Sequence, residues 1–191
     1  MTDLKKFLEE NKSTVHELLN HMWRTIERIA IKFEDVLPDV DLENSHGNYI
    51  RIADGWDEGA YANPGIIFPF GEFGYSLDGL FCTFSLNPNT IDEDLLAKLL
   101  DAINKNEGIT LEIYGGDDCF QTFFHSKEEA DFDDILQKIK SSKEDVIQIE
   151  ISVEALPEEE LREALIDSTK EFYNLFKEKE CLVKLPNYDS I

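Results

Sequence analysis

Basic residues are scarce in this chain: 18 lysines and arginines stand against 41 aspartates and glutamates, a formal charge of −23. A surface of that sign repels phosphate backbones, so direct nucleic-acid binding is not expected. Cysteine is sparse as well. Cys82, Cys119 and Cys181 lie far apart and form no C-x-x-C pair, which removes the usual zinc and redox motifs. Long hydrophobic runs are missing, and no segment approaches the ~18 continuous apolar residues of a membrane helix. Asp3, Lys5, Lys6, Glu9 and Glu10 interrupt the opening residues where a secretory leader would be apolar. The expectation is a cytoplasmic protein with no membrane partner.

Catalytic grammar is also thin. Gly71-Glu72-Phe73-Gly74 and Gly115-Gly116 do not make a GxGxxG turn into a helix, and neither GxxxxGK[ST] nor Gly-x-Ser-x-Gly occurs. Nucleotide cofactors and an exposed serine nucleophile are therefore not expected, and the reading includes no cofactor. The spacing of an EF-hand loop is absent too. His16 and His21 are five residues apart, which misses the three- or four-residue step that shares a helix face. No metal site is expected.

What is present is ordinary globular material: 42% hydrophobic residues, including 13 Phe and 6 Tyr. A chain of 191 residues buries about 70% of its extended surface, and residues 1–191 read as a single domain. Cys82 lies in an alternating run and reads as a small buried hydrophobe. The charge is uneven. Residues 1–38 are nearly neutral at −1, residues 39–118 carry −13, and residues 119–191 carry −9.

Periodicity orders the elements. From Leu4 to Leu37 an apolar face (Val15, Leu19, Met22, Ile26, Ala30, Phe33) recurs at helical steps, with Thr14 and Glu17 at capping-box spacing and Pro38 ending it. The period then becomes two, through Tyr49–Ile52, Ile66–Phe70, Phe73–Leu77 and Leu80–Leu86, with Asp78-Gly79 as a hairpin turn. Thr90 and Glu93 open a second helix with Leu95, Leu96, Leu99 and Ile103 inward. Strands at Ile109–Ile113 and Cys119–Phe124 follow, then a helix opened by Ser126 and Glu129. Val146–Val153 alternates most cleanly. Pro157 starts a last helix to about Lys179, and Val183 and Leu185 suggest an added edge strand. Hairpins outnumber crossovers, so the expected fold is α+β, a mostly antiparallel β-sheet with long N- and C-terminal helices packed on one face.

The most informative irregular stretch is residues 53–65, longer than an ordinary loop. Asp54, Asp57 and Glu58 supply carboxylates there, and Trp56 and Tyr61 supply flat surfaces. Trp56 either plugs the core or anchors a partner. Asp117 and Asp118 precede a strand that His125 ends, and these three complete the catalytic candidates with Asp54, Asp57 and Glu58.

Three function classes follow. The first is a protein-interaction module, an inhibitor, immunity-type or chaperone-like protein, that meets a basic protein through Trp56, Asp57, Glu58 and Tyr61. The order of helix, strands and hairpin, with the acidity, loosely resembles that of secretion-type chaperones. The second is a hydrolase using paired carboxylates near the Trp56 loop. The third is a homo-oligomeric structural protein, a homodimer through the 14–37 helix, whose nearly neutral block is least opposed by like charge.

Overall fold

A computed structural model describes residues 6, 9–37, 51–54, 60–63, 65–75, 79–115, 121–154 and 159–185. The chain forms α1 (Lys12–Val36), β1 (Arg51–Asp54), β2 (Ala60–Asn63), β3 (Gly65–Phe68), β4 (Gly71–Tyr75) and β5 (Gly79–Leu86). It continues through α2 (Glu93–Asn104), β6 (Ile109–Gly115), β7 (Gln121–His125), α3 (Phe132–Ser142), β8 (Ile147–Glu154) and α4 (Glu159–Glu178).

Six strands make one sheet in the order β3-β4-β5-β8-β6-β7, antiparallel at every step, while β1 and β2 pair separately. The late strand β8 lies between β5 and β6. Its position follows from its alternation: Ile147, Ile149, Ile151 and Val153 are all at most 3% exposed, and an inward row this apolar suits the middle of a sheet. The inward residues of β5 (Leu80, Cys82, Phe84, Leu86) and β6 (Leu111, Ile113) extend that layer. At about 1.5–3 kcal/mol for each large side chain buried, it is the main source of stability.

The helices cover this apolar face. Phe176 of α4 meets Phe84 edge-to-face at 5.3 Å, and Met22 and Ile26 of α1 join the same core. Leu95 and Leu99 of α2 and Ile135 and Ile139 of α3 complete the layer. The expected α+β architecture, with N- and C-terminal helices against an antiparallel sheet, is the one found. Cys82 is fully buried, and burial pushes its thiol well above the ordinary range, so it behaves as a small hydrophobe.

Several local expectations are corrected. Helix α1 starts at Lys12, so Thr14 lies inside it and does not cap it. Thr90 closes a short 3₁₀ turn, donating its hydroxyl to the Asn87 carbonyl at 2.6 Å, and Asp92 caps α2 by accepting from the Leu95 amide at 2.7 Å. Ser126 accepts from the Leu111 amide across the sheet, leaving Asp131 to cap α3. Gly79 belongs to β5, opposite Glu154; at φ 152° a Cβ there would lie 1.8 Å from the Val153 carbonyl oxygen. Among the described residues the tail lies along the sheet as expected, with a bridge from Leu182 to Leu86 and the Val183 and Leu185 amides donating to the Ser85 and Pro69 carbonyls at 2.9 and 2.8 Å, although it forms no regular strand.

Asp92→Ala is expected to lower the unfolding free energy by about 1 kcal/mol, the usual cost of a lost N-cap. Thr90→Val is expected to cost less, because Thr90 does not cap the helix. Urea denaturation of both variants checks the order, and a larger loss at Thr90 would return the cap to that residue.

Candidate functional site

The second face of the sheet is built from the residues that alternate with the core. Registers align Ile67, Glu72, Thr83, Glu150, Glu112 and His125 in one row that crosses all six strands. Directly paired residues project to the same side of a sheet, so this row shares one face. Beside it lie Gln148 and Ser152 of β8, Tyr114 of β6, and Phe81 and Ser85 of β5. The six strands contain Glu72, Glu112, Glu150 and Glu154 but no lysine or arginine.

A bulge shapes one end of this face. The β6–β7 register shifts between Ile113 and Tyr114, so Ile113 faces Phe124 while Tyr114 faces Thr122. The extra residue, Phe123, is buried in the core beside Phe124. That placement returns Thr122 and His125 to the polar face. The Thr122 hydroxyl donates to Glu112 Oε1 at 3.0 Å, and His125 Nδ1 accepts from the Lys127 amide at 3.2 Å. With Nδ1 accepting, the neutral ring carries its proton on Nε2.

Glu150 is the centre of the row. It is half-buried, and the Tyr114 hydroxyl donates to its Oε2 at 3.1 Å. Burial raises its pKa from the ordinary carboxyl range to about 7, opposed by the Tyr114 bond and assisted by the negative charges of Glu112 and Glu72. Near neutral pH this carboxyl therefore exchanges a proton, and an approaching cation would favour its ionised form. Thr83 stitches the neighbouring edge, its hydroxyl accepting from the Glu72 amide at 3.2 Å.

Among the described residues singled out from sequence, only His125 falls on this face. Asp54 ends β1 and Tyr61 lies in β2, where Ala53 pairs with Tyr61 and Asp54 with Ala60. Within the stretch 53–65 the described residues are therefore strand, the end of β1, all of β2 and the first residue of β3, while residues 55–59 and 64 lie outside the described residues. Trp56, Asp57, Glu58, Asp117 and Asp118 lie outside the described residues. The glutamates of the row were each readable as the outward member of an alternating strand, but only strand order brings them together. The absence of basic residues from the six strands of the large sheet was the sequence signal that could have found them. Among the described residues no group of three His, Cys, Asp or Glu is placed to hold a metal ion, and no helix is long and apolar enough to cross a membrane.

Comparison with known proteins adds a family and a fold. The family described as "Protein of unknown function (DUF3201)" matches residues 14–167. A conserved hypothetical protein from Pyrococcus furiosus has a similar solved structure, with a TM-score of 0.60 and 24% sequence identity. The alignment covers 88% of this chain and 98% of that one, and at this identity the likeness concerns the fold. No curated protein matches.

Proposed function

The chain belongs to the DUF3201 family, whose description assigns no function, and from this premise we propose that it is a protein-interaction module offering the polar face of its sheet to a basic partner. The observation that carries the reading is the row Glu72, Thr83, Glu150, Glu112 and His125, on strands with no lysine or arginine. Held on strands, these carboxylates keep fixed spacing, so a partner's lysines and arginines meet a pattern and not a diffuse charge. Their half-buried setting makes each such pair stronger than one on an exposed helix. An inhibitor or immunity-type protein that masks a cationic surface would work in this way. Trp56 and Tyr61, with Asp57 and Glu58, are the proposed partner-binding anchors.

The test must separate this face from the general acidity of the chain. A basic peptide of alternating lysine and leucine would be titrated at about 0.15 M salt, where long-range attraction is screened beyond roughly 8 Å. Glu72→Gln/Glu112→Gln/Glu150→Gln is expected to weaken binding by about tenfold or more. Glu128→Gln/Glu129→Gln/Asp133→Asn replaces the same number of carboxyl groups at exposed sites and is expected to change it by less than about threefold. Equal losses in the two triple variants would reject the face as the binding surface.

Acid–base hydrolysis is a second reading, supported by one observation: Glu150 titrates near 7, where a carboxyl can both hold and give a proton. Its partner would be Glu112, opposite Glu150 in the ladder. If a hydrolytic activity accompanies the chain, Glu150→Gln is expected to abolish it; retained turnover would remove this reading.

A further inference from the structure

On the helical side of the molecule, away from the polar sheet face, a groove of about 300 Å³ separates α1 from the first turns of α4. Thr25, Arg28 and Lys32 line one wall, spaced at three and four residues so that they share a stripe of α1. Arg162 and Ile166 line the other, four apart on α4, with Glu163 beside them. The chain has four arginines, and two of them meet here from distant parts of the sequence. With Lys32 they outnumber the two glutamates of the lining, Glu159 and Glu163, in a molecule of net charge −23.

The cations differ in what occupies them. Lys32 is paired with Glu163 across the groove. Among the described residues Arg28 and Arg162 have no carboxylate partner, although acids outnumber bases by more than two to one. Arg28 is exposed and Arg162 half-buried, so both guanidinium groups can reach a ligand in the groove. Ile166, 6% exposed, and the buried Thr25 form its less polar floor. Thr25 spends its hydroxyl proton on the His21 carbonyl at 3.0 Å.

We propose that this groove binds a small organic phosphate monoester, with Arg28 and Arg162 clamping the phosphate and Ile166 supporting the apolar body. Guanidinium groups present paired N–H donors that match the oxygens of a phosphate, and two of them compensate its double charge. The volume is at the lower end of small-molecule pockets, which fits a compact ligand. A long phosphate polymer does not fit, because it would run out over Glu159 at the groove and onto the acidic surface beyond. The Lys32–Glu163 pair is a reserve: Lys32 becomes a third donor when Glu163 is neutralised.

Phenyl phosphate, titrated calorimetrically into the full chain at constant ionic strength in chloride, is the probe. Saturable binding is expected, tighter than that of inorganic phosphate. Arg28→Gln/Arg162→Gln is expected to weaken it by about tenfold or more, whereas Arg24→Gln, on the same helix but outside the groove, leaves it unchanged. Glu163→Gln is expected to tighten binding by about threefold, an outcome that a purely structural role for the ion pair would not produce. Absence of saturable binding at about 10 mM probe, or equal binding by wild type and the double arginine variant, overturns the proposal. Should the double variant not fold, amide shifts on titrating the wild-type chain decide: changes centred on Thr25, Arg28, Arg162 and Ile166 support the site, and changes centred elsewhere overturn it.

Discussion

Phe84→Ala is expected to lower the unfolding free energy by about 4 kcal/mol, the range measured when a large aromatic is removed from a packed core. Phe84 is fully buried on β5, with its ring edge-to-face against Phe68 at 5.7 Å and Phe176 at 5.3 Å. Phe176 in turn meets Phe172 at 5.8 Å, so one chain of rings joins the edge strand β3, the central strand β5 and helix α4. The space left by Phe84 cannot close readily. Gly71, paired with Phe84 on β4, has no side chain to fill it and no room for one, since a Cβ there would lie 1.9 Å from the Thr83 carbonyl oxygen. For a chain of this length the loss corresponds to a fall in Tm of about 10 °C. Phe81, three residues earlier on the opposite face, is the control: it is half-buried and lies across Gly74, and its replacement by alanine is expected to cost less than half as much. Pairing Phe84→Ala with Phe176→Leu in a double-mutant cycle is expected to give a coupling of about 1 kcal/mol. Similar losses at Phe81 and Phe84, measured by urea denaturation, would contradict the division of the sheet into a core face and a polar face.

Alternation made that division readable in advance, and β8 shows why. Its isoleucines and Val153 are separated by polar residues without a break, a pattern that fits only a strand with one buried face. Register was not readable. Glu72, Glu112 and Glu150 each stand as the outward residue of a separate strand, and their assembly depends on β8 inserting between β5 and β6, a pairing distant in sequence. Helix starts failed for a related reason. Thr90 and Ser126 both fit capping-box spacing, but their hydroxyls are committed elsewhere, Thr90 to the Asn87 carbonyl and Ser126 to the Leu111 amide. Aspartates closer to each apolar stripe take the caps. Tyr49–Ile52 overlaps β1, but its partner β2 is not readable, because Ala60-Tyr61-Ala62-Asn63 has little of the β-branched content that marks a strand. The groove on α1 and α4 was hidden in the same way as the polar row, since Arg28 and Arg162 become neighbours only when the two helices pack.

Glu150→Gln is expected to make the protein more stable at pH 8 by about 2–3 kcal/mol while leaving it nearly unchanged at pH 4.5. The carboxyl has a folded-state pKa of about 7, raised mainly by burial, against 4.5 for its ordinary value. At pH 4.5 and below, folded and unfolded chains both hold the proton, and the group does not affect stability. As pH rises toward 7 the unfolded chain releases the proton while the folded chain keeps it, so folding becomes steadily less favourable; above 7 the loss is complete and the curve flattens. At about 1.4 kcal/mol per unit the displacement corresponds to roughly 3 kcal/mol. Glutamine is neutral throughout, and its Oε1 can still accept from Tyr114. Glu72 and Glu112, whose charges act on Glu150, are kept in both proteins. A difference in unfolding free energy that stays flat from pH 4.5 to 8 would show that Glu150 ionises freely and is not held in the sheet. The same proton connects stability to the proposed function. A partner's lysine or arginine beside Glu150 would stabilise its ionised form, so binding by the wild-type chain is expected to release a proton and to strengthen between about pH 6 and 8. In Glu150→Gln that pH dependence is expected to vanish, because the residue that converts the cost of burial into affinity for a cation can no longer ionise.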